Sequence, residues 1–366
     1  MNGKSASKVM LGWVLAGLYS GLAVAESQVN VYNWSDYIGK NTIQDFEKSP
    51  GVKVHYDTFD SNEIVEAKLL TGRSGYDVVV PSDIFISHFI AAGAIQKLDK
   101  TKLSNWKNLS PDVLKALSDI DPGNEYAVPY MWSTNGIAYN VDKVREVLGA
   151  NAPVDSWALL FDLENIKKLS SCGVAFLDSP KEVMPEVLTY LGLPPNSTKA
   201  EDNKKAEQLM LKIRPFITYF NSSKFISDLA NGNICVAISW SGSAVQAADR
   251  ATEAKNGIKI KYSIPKEGTA ISVDALVIPS DAKNVAEAHA FINYLLEPKV
   301  IAEASNDVGY ANANSAADDF VNPALRNNPG VYPSDEIRSH LFPVRVLAPN
   351  IERARNRSWT KIKSGL

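Results

Sequence analysis

The sequence predicts two α/β lobes hinged around a cleft. Three observations carry this. Apolar strands and helices alternate through the first ninety residues with short connections. A second set of strands and helices follows between residues 134 and 263. Two extended segments, 131–135 and 262–265, are placed to join the two sets. About 340 residues beyond a leader exceed one small core, which also favours two domains.

Residues 1–25 read as a secretory signal peptide. Lys4 and Lys8 give a basic start, residues 9–24 form an almost uncharged apolar run, and Ala23-Val24-Ala25 fits a small-residue cleavage site. Cleavage after Ala25 would leave Glu26 first and the protein outside the cytoplasm. Beyond it no apolar run reaches ~20 residues, so a soluble protein without a membrane span is expected.

The elements follow in order. Val29–Asn33 alternates apolar and polar residues, as a half-buried strand does. It runs into Trp34-Ser35-Asp36-Tyr37. Aromatic faces beside a carboxylate suit an organic cation, and aromatic residues at a strand end are also ordinary core. Thr42–Lys48 reads as a helix stopped before Pro50-Gly51, Val52–Thr58 as a strand, and Ser61–Leu70 as a helix with Ser61 as N-cap. Asp77–Val80 is a short strand, and Ser82 or Asp83 starts the next helix. This βαβαβ run implies a parallel sheet, in which ligands bind at the carboxyl ends of strands. Trp34 to Tyr37 and Ser82 occupy such positions.

In the middle of the chain, Gly136–Asn140, Val174–Leu177 and Cys235–Trp240 read as strands. Val141–Leu148, Lys204–Leu211, Ser223–Ala230 and Gly242–Glu253 read as helices, and 178–186 as a loop. The expected lobes are 26–133 with 264–308, and 134–263 with 309–366. The last ~55 residues look helical and loop-rich, with Trp359 as an anchor. Cys172 and Cys235 each adjoin an apolar run. They are either joined, as export favours, or two buried free thiols.

Charge and motifs exclude several classes. The chain has 38 basic and 41 acidic residues; without Lys4 and Lys8 the balance is 36 to 41, a net charge of −5. Nucleic acid, which needs a basic face, is not the expected partner. His55, His88, His289 and His340 lack metal-ligand spacing. There is no phosphate loop, paired Cys-x-x-Cys or Gly-x-Ser-x-Gly elbow in the mature chain. No enzyme activity, cofactor or metal is expected. Asp274 stands out, because it interrupts the apolar strand 271–278. A carboxylate there needs a partner, since burying an unpaired charge costs roughly several kcal/mol.

Longer segments carry a family likeness. They include Tyr32-Asn33-Trp34-Ser35-Asp36-Tyr37-Ile38, Phe59-Asp60-Ser61-Asn62-Glu63, Val79-Val80-Pro81-Ser82, Pro129-Tyr130-Met131-Trp132 and Tyr139-Asn140-Val141-Asp142-Lys143. Asp228-Leu229-Ala230-Asn231-Gly232, Ser263-Ile264-Pro265-Lys266-Glu267-Gly268 and Tyr310-Ala311-Asn312-Ala313-Asn314 continue it. On these the chain resembles the periplasmic polyamine-binding proteins of bacterial ABC transporters, especially the putrescine-binding branch, over essentially the whole mature chain.

The resemblance implies a type II periplasmic binding protein fold that closes on its ligand, delivery to a membrane permease, and no catalysis. It implies ligand contacts at Trp34, Ser35, Asp36, Tyr37, Ser82, Glu182, Trp240, Ser243, Asp274 and Tyr310, with Asp274 taking a ligand ammonium. It also implies a Cys172–Cys235 disulfide. Two positions depart from the pattern. Ser243 stands where the putrescine branch often has an acid, and Ser272 where the family commonly has Phe or Trp. The cation box therefore lacks one aromatic wall, and a wider or wetter cleft near Asp274 is expected. A polyamine or related aliphatic amine is the expected ligand. An ω-amino acid such as aminobutyrate or aminovalerate is the runner-up, suggested by Ser243. An extracytoplasmic sensor module is a third reading.

Overall fold

The computed structural model describes residues 27–48 and 51–365. The expected signal peptide and its cleavage site lie outside the described residues. Eleven strands are assigned among those described: β1 Gln28–Trp34, β2 Lys53–Phe59, β3 Val78–Val79, β4 Ala127–Asn140, β5 Val174–Phe176, β6 Tyr219–Phe220, β7 Val236–Trp240, β8 Ile260–Ser263, β9 Thr269–Val277, β10 Ala311–Asn312 and β11 Leu341–Pro343.

The first lobe is built on the order β2-β1-β3-β9-β4. β1 pairs in parallel with β2 and β3, as the βαβαβ reading expects. β9 returns antiparallel to both β3 and β4. Ser61 caps the helix Asn62–Leu70 by accepting the Ile64 amide. The second lobe continues β4-β7-β5-β6, with β8 on β4.

One strand joins the lobes. β4 is buried along its full length. Residues 127–134 pair with β9 in the first lobe, and residues 135–140 with β7 and β8 in the second. The crossing expected at 131–135 is therefore the middle of a continuous strand, whose backbone stays hydrogen-bonded on both sides of the change of partner. The chain crosses back from β8 to β9 through the turn at 264–268.

Each lobe has its own apolar core. Trp157, Phe161, Phe176 and Phe225 fill the second. Cys172 and Cys235 are joined there, their Cα atoms 5.4 Å apart. They precede β5 and β7, which are parallel neighbours.

Two sequence readings are corrected. Tyr310, Ala311, Ala317, Leu325 and Val331 pack in the first lobe's core, because β10 pairs with Met131 and Trp132 of β4. The expectation gave all of 309–366 to the second lobe, but the residues of that tail in its core are Trp359 and Ile362. Second, 178–186 is not a loop: Pro180–Tyr190 is a helix. Two prolines made it read as broken. Pro180 takes the first helical position, where its missing N–H costs nothing, and Pro185 is accommodated within the helix.

Candidate functional site

The Trp34–Tyr37 loop leaves the carboxyl end of β1 and is held by polar contacts. Asn33 accepts the Trp34 amide at 2.8 Å and donates to the Tyr37 carbonyl at 3.2 Å. The Tyr130 hydroxyl donates to the same carbonyl at 3.1 Å. Asp36 adopts a positive φ of 55°, a conformation that Asp tolerates better than most residues. Ser35 donates to Asp60 at 2.9 Å.

Asp274 faces this loop from β9. Its two oxygens accept from the Ser82 hydroxyl at 2.6 Å and the Tyr37 hydroxyl at 2.7 Å. Ser82 in turn accepts from Asn62 at 3.0 Å, so its own hydrogen is committed to Asp274. Asp274 is 8% exposed. Among the described residues no Lys, Arg or His nitrogen lies within 4.0 Å of it. Burial pushes its carboxyl up to about 6, against the lowering effect of the two hydroxyls.

The second lobe supplies the opposite wall. Trp240 ends β7 and donates its indole N–H to Glu182 at 2.6 Å. Burial raises Glu182 to about 7, with further pressure from Glu63 and Asp274. The Trp240 ring meets Trp34 edge-on at 6.1 Å across the cleft. Tyr310 packs edge-on against Tyr37 at 4.7 Å, and its hydroxyl shares a hydrogen bond of 2.8 Å with Ser243. Gly242 is required beside it, because a Cβ there would collide with the Tyr310 ring. Ser241, Gly242 and Ser243 open the helix Ser241–Glu253.

All ten residues singled out from the sequence line one cavity between the lobes, which encloses about 70 Å³ of free space. Sequence reasoning gave no site role to Phe59, Asp60, Ser133, Ser222, Ser223, Ile226 or Gln246, which line it too. Phe59 and Asp60 had a usable signal, since they sit at the carboxyl end of β2. The loop serines and Gln246 had none.

Ser272 also lines the cavity, but it does not simply leave space. Its hydroxyl donates to Asp83 at 3.2 Å. Burial raises Asp83 to about 7, with Asp274 adding to the rise. The ionisable residues lining the cavity are Asp36, Tyr37, Asp60, Glu182, Asp274 and Tyr310, with no Lys, Arg or His. Such a cavity favours cations.

Two α/β lobes that share a central strand and enclose an acidic, aromatic cavity define a type II ligand-capturing protein. The model of the family described as bacterial extracellular solute-binding protein matches residues 41–333, and the chain belongs to that family. It is a binding protein and not an enzyme. It is 53% identical to the putrescine-binding periplasmic protein of Escherichia coli over 100% of this chain and 99% of that one. It is 50% identical to a putrescine/agmatine-binding protein of Pseudomonas aeruginosa, covering 93% of each. The solved spermidine/putrescine ABC transporter substrate-binding protein of Streptococcus pneumoniae superposes with a TM-score of 0.76 at 26% identity, over 93% of this chain and 99% of that one. No helix among the described residues is long and apolar enough to cross a membrane.

Proposed function

We propose that this protein, exported to the periplasm by cleavage after Ala25, captures a slender aliphatic amine as a monomer and delivers it to a membrane ABC permease. The observation that carries the reading is Asp274, a buried carboxylate facing the cavity with hydroxyl partners but no cation from the protein. A ligand ammonium supplies the missing charge. The Trp34 and Trp240 rings add cation–π attraction worth ~0.5 to 2 kcal/mol each. Glu182 offers a second carboxylate for the other end of a diamine. Ser35, Asp36, Tyr37, Ser82, Ser243 and Tyr310 shape the cavity and orient these groups. The names of the relatives support putrescine and its kin.

The ω-amino acid reading is disfavoured. A ligand carboxylate would enter a cavity lined by acids and by no basic side chain. The moving bodies follow the cores: 27–133 with 264–332 as one lobe, 134–263 with the C-terminal helix as the other. A thermal-shift panel of diamines, triamines, agmatine and ω-amino acids tests the reading. Amines should raise the melting temperature and aminobutyrate should not. Stabilisation by aminobutyrate alone would overturn it.

A further inference from the structure

We infer that Ser272, oriented by Asp83, makes this cavity select amines whose cationic head is a guanidinium over those ending in a simple ammonium. The inference rests on the amine-binding reading and sharpens it.

The wall beside Asp274 is built from two crossed Ser–Asp pairs. Ser82 and Asp83 are consecutive at the start of the helix Asp83–Ala91. Ser272 and Asp274 are two apart on β9, so both side chains face the cavity while Val273 faces the first lobe's core. An antiparallel bridge between Ser82 and Asp274 sets the two segments side by side, and the Ala275 amide donates to the Pro81 carbonyl at 3.0 Å. Ser82 then gives its hydrogen to Asp274, and Ser272 gives its hydrogen to Asp83. Each segment contributes one hydroxyl and one carboxylate.

The direction of the second bond sets what Ser272 offers. A hydroxyl has one hydrogen and two acceptor lone pairs. With the hydrogen spent on Asp83, Ser272 presents an acceptor to the cavity. Asp83 is itself fixed by the Ile84 amide at 2.8 Å, and no basic nitrogen lies within 4.0 Å of it among the described residues. This wall therefore carries a directional acceptor, held in place by the Asp83 carboxyl.

Spacing decides which head group uses it. Same-face neighbours on a strand are roughly 6 to 7 Å apart. One ammonium nitrogen, with bonds of ~2.9 Å, bridges acceptors no more than about 5 Å apart. A guanidinium carries five N–H groups in a planar fork, so one edge can pair with Asp274 while another reaches Ser272. The flat head also stacks on tryptophan faces, and it occupies the space that an aromatic side chain at 272 would fill.

Calorimetric titration of the mature protein with agmatine, a four-carbon amine with a guanidinium head, and with putrescine tests this. The natural sequence should bind agmatine at least about tenfold more tightly. Ser272→Ala should cut that preference several-fold, and Ser272→Phe should reverse it. Asp83 is a positioning residue, so Asp83→Asn should lower the preference; a merely structural role would weaken both amines alike. Equal affinities in the natural sequence, or a preference unchanged across the three variants, overturns the inference while leaving amine binding standing. Failure of both amines to bind the natural sequence overturns the amine reading and this inference with it.

Discussion

Asp274 is a buried carboxylate whose two side-chain partners are the hydroxyls of Ser82 and Tyr37. An ordinary aspartate ionises near 3.8 and Asp274 near 6, because burial disfavours its charge. Between those pH values the folded chain holds a proton that the unfolded chain has lost. Stability of the ligand-free protein therefore falls as pH rises through that window. A bound cation acts the other way, favouring the ionised carboxylates of Asp274 and Glu182, the latter near 7. Binding should expel protons. Affinity for putrescine should weaken by about tenfold or more as pH falls from ~7.5 to ~5.5. The binding enthalpy should vary with the ionisation enthalpy of the buffer. A flat pH profile would show that these carboxyls do not meet the ligand. Asp274 was legible in the sequence because a charge inside an apolar strand is a contrast that pattern reading detects. Asp83 was read only as a helix start, since its bond to Ser272 joins positions 189 residues apart.

At the scale of elements, the crossing between lobes carries a buried acid of its own. Glu186 is 0% exposed. One oxygen accepts from Asn135 on β4 and from Thr269 and the Ala270 amide on β9, each at 3.1 Å. The other oxygen has no partner. Burial raises this carboxyl from the ordinary 4.5 to about 8, so at neutral pH it is largely protonated. Glu186→Gln should keep the three bonds and remove the titration. Relative to that variant, the natural protein should lose stability as pH rises from about 4.5 and level off above about 8, as followed by denaturant unfolding. Parallel curves would show that Glu186 does not change its ionisation on folding. The short β6, β8, β10 and β11 were not read as strands, whereas β1, β2, β3, β5, β7, β9 and the second half of β4 were legible from alternation and apolar runs. The continuity of β4 was not, because a buried strand that changes partners midway shows no break in composition. The helix 180–190 was hidden by its prolines, and Glu182 was read as a loop residue for the same reason.

Across the whole molecule, the lobes meet at the cavity mouth. Arg250 pairs with Asp36 at 2.7 Å, and Gln246 donates to the carbonyls of Asp36 and Val308. The pair is substantially exposed, and such pairs contribute ~0 to 1 kcal/mol. Arg250→Ala should therefore weaken putrescine binding by about fivefold at most, and less at high salt. A loss of a hundredfold would mean that Arg250 does more than hold the lobes together. The two-lobed plan was legible because two sets of α/β elements are separated by extended segments. The assignment of 309–332 was not. That stretch has no strong periodicity, and what fixes it is the pairing of β10 with Met131 and Trp132, some 180 residues earlier.

Contact between one ligand ammonium and Asp274 is checked by titrating putrescine calorimetrically into the natural protein and into Asp274→Asn. The substitution keeps the shape and removes the charge. Truncating one partner of a buried charge pair costs roughly 2 to 5 kcal/mol, or about thirtyfold to several-thousand-fold in affinity. The natural protein should bind one putrescine per chain. Asp274→Asn should bind it at least about thirtyfold more weakly, with a ligand-free melting temperature at pH 7 no lower than that of the natural protein. Equal affinity in the two proteins would show that Asp274 does not hold the ligand ammonium.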